Sequence, residues 1–266
     1  MLLRRIAVRL AKDALQLRYG ERPVPLDTIF RLRRFADRPD ALTFRALARP
    51  HDAQDVLRNE FLSERLAGVE LGLWTLSGAA LNVLETEIHR LRPDLVLEFG
   101  SGVSTACLAR YAYEAHGDRT LRVVSVEDGD DFADEAQRRV DDLGLAGVAR
   151  VFRAPLAEQT CRGRTLARYT LPEELTDLLR RRPPGLVLID GPGIGPRGSR
   201  YGSLEAVRPL LRPTTPFFLD DALDDYGLLV GGWFSELAGV RIDGILLVGH
   251  GLLVGRIEGR SEPAEA

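Results

Sequence analysis

Five short apolar runs, separated by stretches with helical periodicity, dominate the middle of the chain. Alternation of this kind predicts strands and helices in turn, and therefore a parallel sheet with helical connections. The predicted strands span residues 95–99, 122–126, 149–153, 185–189 and 216–219. Because such connections keep consecutive strands in one direction, we expect the carboxyl ends of all five strands at the same edge of the sheet.

The pattern changes after the fifth strand. Residues 223–237 predict a helix, and two further apolar runs at 241–248 and 252–257 flank the triplet Gly249-His250-Gly251. Two runs around a glycine-rich turn are typical of an antiparallel hairpin. We interpret His250 as a turn residue rather than a catalytic base, because glycine and short polar residues satisfy tight turns.

The first 76 residues are predicted to form a helical extension. Leu3, Ile6, Leu10, Ala14 and Leu17 recur at helical spacing with basic residues opposite, and Gly20 then ends the helix. This helix is expected to pack on its own domain or on a second subunit; a membrane surface is the less favoured partner. Further short helices are predicted around 26–35 and 53–66, followed by a helix at 78–91 that Ser77 caps.

A glycine turn directly follows the first strand. The sequence Gly100-Ser101-Gly102-Val103-Ser104-Thr105 has the form G-x-G-x-x-T, and Glu98 precedes it. The two glycines allow a sharp turn with no Cβ between backbone and ligand, and Ser104 or Thr105 can cap the helix that follows. The same pattern occurs in ordinary strand–helix turns, so the turn alone does not establish ligand binding.

Acidic residues end four of the five predicted strands. The second strand closes with Glu127-Asp128, about 20 residues beyond the glycine turn, where a carboxylate accepts hydrogen bonds from ribose hydroxyls. The fourth strand ends at Asp190 and the fifth at Asp220-Asp221. The first strand carries Glu98 at its end. Ligands of open α/β sheets bind at this edge, so acidic residues at the ends of four strands indicate a functional site.

With these motifs in this order, residues 78–257 resemble the class I S-adenosylmethionine-dependent methyltransferases. The resemblance implies an α/β fold: a Rossmann-like, doubly wound, mostly parallel seven-stranded sheet with a C-terminal antiparallel hairpin and an N-terminal helical extension. It rests on the motifs Glu98-Phe99-Gly100-Ser101-Gly102, Glu127, Ala154-Pro155-Leu156 and Asp190-Gly191-Pro192. The residues that it assigns to the cofactor are Glu98, Gly100, Ser101, Gly102, Ser104, Thr105, Glu127, Asp128, Pro155, Leu156 and Asp190.

The resemblance also implies a role for each part of this set. The glycine turn would lie under the methionine part of S-adenosylmethionine, and Glu98 would hold its ammonium, directly or through water. Glu127 would accept the ribose hydroxyls, and Pro155 and Leu156 would line the adenine. An ammonium, a sulfonium and a diol suit carboxylates and carbonyl oxygens.

Two other classes of protein remain as alternatives. An NAD(P)-binding Rossmann oxidoreductase would have a third glycine where Thr105 stands and an apolar residue at Glu98. Lys12 is the only lysine, so reductases, P-loop enzymes and pyridoxal-phosphate enzymes that use a lysine near the chemistry are disfavoured. A non-catalytic binding or scaffold protein has no need for an intact cofactor cradle.

Asp190 is the candidate catalytic base, because it ends the fourth strand beside the expected methyl position. Its context Asp190-Gly191-Pro192-Gly193 lacks the second proline and the aromatic residue of Asn/Asp-Pro-Pro-Tyr N-methyltransferases, which favours O-methylation of a small molecule. Asp190, Asp220 and Asp221 also look like the Mg²⁺ ligands of catechol-type O-methyltransferases, with Asp221 in place of an asparagine. We expect no metal here, on the interpretation that Asp220-Asp221 caps the following helix.

The loop after Asp190, residues 193–202, offers Arg197, Arg200 and Tyr201 to an acceptor, unless it is simply a solvated surface loop. Trp74 and Trp233 are interpreted as packing residues, and Cys161 lies in a polar connection without an assigned role.

Charge and composition narrow the class of partner. Residues 1–50 carry a net charge of +7 and the remainder −10, so the α/β part is a poor binder of nucleic acids. Two cysteines and no apolar stretch of membrane-spanning length indicate a cytoplasmic protein. The predicted organisation is a helical extension at 1–76, serving as a lid or a dimerisation element, a methyltransferase domain at 77–258 and a disordered tail at 259–266.

Overall fold

The computed structural model describes residues 14–15, 17–35, 56–71, 75–193 and 199–259. Several sequence predictions therefore lie outside the described residues. These are most of the first amphipathic helix, the start of the 53–66 helix, Trp74, Arg197 and the tail beyond residue 259.

One seven-stranded sheet forms the centre of the molecule. The strands of the chain are β1 (Val96–Phe99), β2 (Val123–Glu127), β3 (Ala149–Arg153), β4 (Leu156–Cys161), β5 (Arg164–Tyr169), β6 (Leu186–Ile189), β7 (Pro216–Leu219), β8 (Val240–Leu246) and β9 (Leu252–Ile257). The large sheet has the order β3-β2-β1-β6-β7-β9-β8. Its first five strands are parallel, and β9 pairs antiparallel with both β7 and β8. The predicted fold class is confirmed.

Both faces of β1, β2, β6 and β7 are covered, which explains why these strands are mostly apolar rather than alternating. The edge strand β3 is different and exposes Arg150 and Arg153. In β1, Leu97 and Phe99 join one buried apolar cluster, whereas Val96 joins the other. Successive side chains of a strand point to opposite faces, so the two clusters are the cores on the two sides of the sheet. Glu98 is the one polar side chain of β1, and it is fully buried.

Helices form both outer layers. They are α1 (Leu26–Phe35), α2 (Glu60–Arg65), α3 (Gly78–Leu91), α4 (Val103–His116), α5 (Asp130–Asp142), α6 (Glu173–Arg181), α7 (Ser199–Val207) and α8 (Asp225–Ser235). The Ser77 side chain caps α3 as predicted, accepting the backbone N–H of Ala80 at 3.1 Å. None of the helices in the described ranges is long and apolar enough to cross a membrane.

A hairpin between β3 and α6 was not predicted. Strands β4 and β5 pair with each other through a two-residue turn, Arg162-Gly163, in which both φ angles are positive. Four of the six β4 residues are exposed, so the apolar alternation that reveals a strand is missing. Cys161 therefore ends a strand and is buried, instead of lying in a polar connection.

The described part of the N-terminal extension packs against the last strands of the sheet. Val24 forms a bridge with Ile245, with hydrogen bonds of 2.8 Å in both directions, and α1 follows against β8. Gly244 has a φ of 141°, and a Cβ there would collide with the Val24 carbonyl oxygen. This glycine lets the extension reach the sheet edge.

Candidate active site

The candidate site lies where the order of strands reverses, between β1 and β6. The backbone nitrogens of Asp190 and Gly191 donate to the Phe99 carbonyl at 2.8 and 2.6 Å. On the other side, the Gly100 nitrogen donates to the Val126 carbonyl at 2.9 Å. The glycine turn is thus held between the ends of β2 and β6, at the position where open α/β sheets bind ligands.

The two glycines of the turn have different roles. Gly100 has a φ of +87°, and a Cβ on it would lie 2.7 Å from the Gly191 backbone nitrogen. Gly102 is extended, with a φ of 170°, and a Cβ on it would meet no atom within 4 Å among the described residues. Gly100 therefore allows two backbone segments to touch, whereas Gly102 borders open space. We expected both glycines to leave room for a ligand. The structure has open space only beside Gly102.

Gly102 begins α4, and Thr105 connects this helix end to Glu98. The Gly102 N–H donates to Thr105 Oγ1 at 3.0 Å, and that hydroxyl donates to Glu98 Oε2 at 2.6 Å. The helix therefore begins earlier than predicted, with Gly102 rather than Ser104 or Thr105 at the N-cap position. Thr105 lies inside the first turn, where its hydroxyl satisfies the Gly102 N–H. Ser104 is buried in the same turn.

Glu98 is a buried carboxylate that the described residues satisfy only on one side. Its Oε1 is buried and has no hydrogen-bond partner in the described part of the chain. Burial raises its pKa to about 7, although the neighbouring hydroxyls of Ser104, Thr105 and Ser125 offset part of this effect. A buried acceptor without a donor is costly, so this oxygen is suited to a donor that arrives with a ligand.

Glu127 at the end of β2 organises the turn from the other side. Its Oε2 accepts the backbone N–H and the hydroxyl of Ser101 at 2.7 and 3.1 Å. Its Oε1 accepts the backbone N–H groups of Asp128 and Gly129 at 3.0 Å each. Because four hydrogen bonds already reach the carboxylate, a diol would have to take the place of the Ser101 hydroxyl, which can rotate away. The sequence did not predict this Ser101–Glu127 contact.

The predicted adenine segment is attached to the same strand end. The Ala154 nitrogen donates to the Glu127 carbonyl at 2.8 Å, and the Pro155 carbonyl accepts the Thr170 N–H at 2.9 Å. Pro155 is exposed and Leu156 is half-buried. Both lie beside Glu127 in the chain path, where the resemblance puts them, and their contact with adenine stays a prediction.

Tyr169 is a site residue that the sequence did not reveal. It ends β5, and its ring stacks on Phe99 with centroids 5.6 Å apart. Its hydroxyl reaches Gly191, where a Cβ would collide with it, and is buried without a hydrogen-bond partner among the described residues. Burial raises the pKa of Tyr169, and the charges of Glu127 and Asp128 add to the effect. The hairpin thus delivers a neutral hydroxyl to the centre of the site.

Three carboxylates gather at the ends of β6 and β7. Asp190, Asp220 and Asp221 each offer an oxygen within 4.8 Å of the others, as the sequence predicted. Asp220 is buried, while Asp190 and Asp221 are partly exposed.

The interpretation of Asp220-Asp221 as a helix cap is wrong. Helix α8 begins later, with Asp224 at its N-cap position. Asp221 instead has a φ of 54°, which turns the chain, and its Oδ1 lies 3.1 Å from His250 Nδ1. His250 is in the predicted turn before β9, and it also contacts the carboxylate cluster.

Arg200, in the first turn of α7, contacts all three acidic residues. Its Nη2 lies 3.2 Å from Asp190 Oδ1, and its Nη1 lies 3.0 Å from Asp221 Oδ2. Nη1 also donates to the Asp220 backbone carbonyl at 3.0 Å. Tyr201, its neighbour, is fully buried and stacked on Phe234, so it cannot contact an acceptor. Trp233 packs edge-on against Tyr201, as a packing residue would.

The three carboxylates have different proton affinities. Burial raises the pKa of Asp190 to about 6, with the charges of Asp221 and Glu127 adding to it and Arg200 opposing it. Burial also raises the pKa of Asp220 well above its usual value. For Asp221 burial acts upward, but the His250 hydrogen bond and the Arg200 charge outweigh it and lower the pKa. Such a set keeps one carboxylate ionised beside a base with a pKa near neutrality.

The donor set of the cluster suits a hard cation, but its surroundings do not. Three carboxylates would suit Mg²⁺, which takes oxygen ligands. Two of the oxygens, Asp190 Oδ1 and Asp221 Oδ2, already contact the guanidinium of Arg200. The residues present therefore fit an internal cation better than a bound metal ion.

Comparison with known proteins agrees with this architecture. Residues 97–222 match the family described as a methyltransferase domain. The sequence has no significant match among curated proteins.

Similar solved structures include three methyltransferases. An O-methyltransferase from Bacillus cereus in complex with SAH is 19% identical with a TM-score of 0.52, over 79% of this chain and 92% of that chain. TomG, an O-methyltransferase from Streptomyces achromogenes involved in tomaymycin synthesis and solved with SAM, has the same identity and TM-score over 77% and 92%. The SAH-bound methyltransferase PaMTH1 from Podospora anserina is 13% identical with a TM-score of 0.52 over 89% and 98%. At these identities the likeness shows the fold.

The sheet order, the glycine turn and the family match define a class I methyltransferase domain in this chain. Residues 97–222 are a methyltransferase domain, of the class that uses S-adenosylmethionine. The site fits that cofactor on two observations: Glu98 Oε1 is a buried acceptor without a donor among the described residues, and the space beside Gly102 is open.

Proposed function

We propose that this enzyme methylates a hydroxyl group of a small molecule, with Asp190 as the base that accepts the hydroxyl proton. The observation that carries the proposal is the position of Asp190. It follows β6 directly, its backbone N–H is bonded to Phe99 beside the cofactor turn, and its side chain is partly exposed. By the resemblance to class I methyltransferases, a base at this position would lie next to the methyl group of the bound cofactor.

S-adenosylmethionine supplies an activated methyl group on a sulfonium. Methyl transfer would join the acceptor oxygen to the methyl carbon as the carbon–sulfur bond breaks, and a carboxylate oxygen of Asp190 would accept the hydroxyl proton. With its pKa raised to about 6, Asp190 is ionised at neutral pH and still basic enough to accept a proton. The reaction therefore needs only alignment and one proton acceptor from the protein.

The cofactor contacts are proposed residue by residue. Glu98 would receive the ammonium, because its Oε1 has no donor in the described part of the chain. Glu127, with Ser101 and Asp128 around it, would receive the ribose hydroxyls. Pro155 and Leu156 would line the adenine.

Two features support a small hydroxylated acceptor. Residues 51–266 carry a net charge of −10, which disfavours nucleic acids as substrates. The similar proteins from Bacillus cereus and Streptomyces achromogenes are O-methyltransferases, which supports oxygen as the methylated atom.

The proposal is tested by measuring SAH formation with a panel of phenols, catechols and aliphatic alcohols, each paired with its amino analogue. We expect turnover with hydroxylated members and at least about a hundredfold lower turnover with Asp190→Asn, as for loss of a general base. Turnover confined to the amino analogues would contradict the proposal. The control is Asp142→Asn, an exposed carboxylate at the end of α5, which should not change turnover.

A further inference from the structure

Arg200 stands between the ends of two adjacent strands. Through Asp190 it contacts the end of β6, and through Asp221 and the Asp220 carbonyl it contacts the end of β7. Arg200 thus contacts two carboxylate oxygens and one backbone carbonyl oxygen. The planar fork of a guanidinium can hold oxygens from two directions at once, which a lysine ammonium cannot do with the same fixed geometry.

The same oxygens would have to turn toward a divalent ion if one were bound. Mg²⁺ and Mn²⁺ bind carboxylate oxygens at about 2.0–2.2 Å and in strict geometry. A metal that used Asp190 Oδ1 and Asp221 Oδ2 would compete with the guanidinium for both oxygens and would be repelled by its charge. Arginine keeps its positive charge at every working pH, so it competes with a metal ion for these oxygens under all conditions of assay.

Arg200 is also well fixed for this role. Its side chain is about as buried as its partners, with 20% exposed against 21% for Asp190 and 29% for Asp221. It comes from the first turn of α7, which packs against the β4–β5 hairpin and β6. A partly buried cation with three oxygen partners is a built feature and not a surface ion pair.

We propose that Arg200 is a positioning residue that replaces the divalent ion of the metal-dependent O-methyltransferases. It holds the Asp190 and Asp221 carboxylates in fixed positions, neutralises part of their charge and excludes a metal ion from the cluster. The inference rests on the proposed function, because it concerns the carboxylate that accepts the proton. It implies that an acceptor needs a single hydroxyl, since no metal is present to chelate two adjacent oxygens.

The test measures Mn²⁺ binding to the full chain saturated with SAH. Binding is detected by electron paramagnetic resonance, as a loss of the signal of free Mn²⁺. The variants are Arg200→Met, which removes the charge, Arg200→Lys, which keeps it, and Arg200→Met combined with Asp220→Asn. We expect wild type and Arg200→Lys to leave Mn²⁺ free. Arg200→Met should bind about one equivalent at least roughly tenfold more tightly, and the added Asp220→Asn should remove that binding.

Two outcomes would overturn the inference. One is stoichiometric Mn²⁺ binding by wild type that Asp220→Asn abolishes. The other is an Arg200→Met protein that binds SAH but leaves Mn²⁺ as free as wild type does, because Arg200 would then not be what keeps the metal out. If Arg200→Met fails to fold, Arg200→Gln takes its place, and the wild-type arm decides without either variant.

The result is separable from the proposed function. Turnover confined to amines would count against the proposed function and leave the Mn²⁺ result standing. Turnover of wild type in EDTA provides a second readout of metal independence. Complete loss of turnover in EDTA, with recovery on added Mg²⁺, would contradict the inference.

Discussion

The hydroxyl of Thr105 donates to Glu98 Oε2 at 2.6 Å and leaves Glu98 Oε1 buried without a donor among the described residues. One oxygen is thus satisfied by the protein, and the other faces the place where the cofactor ammonium is proposed to bind. The pKa of Glu98, raised to about 7 by burial, means that the unliganded enzyme holds a proton there much of the time near neutrality.

Cofactor binding should therefore release protons. An ammonium beside Glu98 favours the ionised carboxylate, so at pH 7 we expect SAH binding to release about half a proton. Calorimetry in buffers of different ionisation enthalpy measures this number. Glu98→Gln should bind more weakly and release no proton, whereas the exposed Glu158→Gln should behave as wild type. Equal proton release by Glu98→Gln would show that the ammonium is held elsewhere.

Glu98 also gives the unliganded protein a pH-dependent stability. Its pKa is about 7 in the folded protein against 4.5 ordinarily, so the folded state keeps a proton that the unfolded state loses between these values. The free energy of unfolding should therefore fall as pH rises across this window, and Glu98→Gln should flatten the decline. Denaturant titrations at pH 5 and pH 7.5 measure the difference. If the free energy of unfolding falls equally with pH in wild type and in Glu98→Gln, the pKa of Glu98 is not raised.

Substitutions at the two glycines of the turn should have different effects, one on the stability of the fold and the other on SAH binding. Gly100→Ala forces a side chain into a φ of +87° and against the Gly191 nitrogen, so it should lower the free energy of unfolding by roughly 1–3 kcal/mol. Gly102→Val adds its side chain to open space, so the melting temperature should stay close to wild type while SAH binding is lost. Thermal melts with and without SAH measure both effects. The reverse pattern would mean that Gly102, not Gly100, supports the fold.

Much of this site could be predicted from the sequence because it lies at strand ends. Glu98, Glu127 and Asp190 each follow or end an apolar run, and parallel strands bring those ends together whatever the loops do. The glycine turn was recognisable for the same reason. Its two glycines looked equivalent, because the close approach of Gly100 to Gly191 depends on a segment about 90 residues away in the chain.

The rest depends on contacts that leave no local pattern. Arg200 was noticed only as one of several loop residues, since nothing in the sequence shows that it returns to Asp190 and Asp221. The cap interpretation of Asp220-Asp221 was wrong because Asp221 takes a left-handed conformation, which delays the helix. Tyr169 was not predicted because its hairpin partner β4 is largely exposed and lacks the apolar alternation that indicates a strand.

The Tyr169 hydroxyl should matter for the ligand and not for the fold. It is buried without a hydrogen-bond partner among the described residues, so Tyr169→Phe should leave the unliganded protein as stable or slightly more stable. If the bound cofactor or acceptor supplies the partner, the same change should weaken binding by about 1 kcal/mol. Parallel unfolding and SAH titrations measure the two effects. A loss of stability with unchanged binding would assign the hydroxyl to the fold alone.

The acidic limb of the pH–rate profile should report Asp190. A base must be ionised to accept a proton, and burial raises the pKa of Asp190 from 3.8 to about 6, so kcat should rise with pH through about 6 and level off above it. The value belongs to the coupled carboxylates as a group, so Asp221→Asn should move the limb to lower pH by removing a negative neighbour of Asp190. Asp190→Asn should abolish the limb and lower kcat by about 10²–10⁴-fold. Measuring kcat from pH 5 to pH 8 with a hydroxylated acceptor decides the matter. A limb that survives in Asp190→Asn would show that another group accepts the proton.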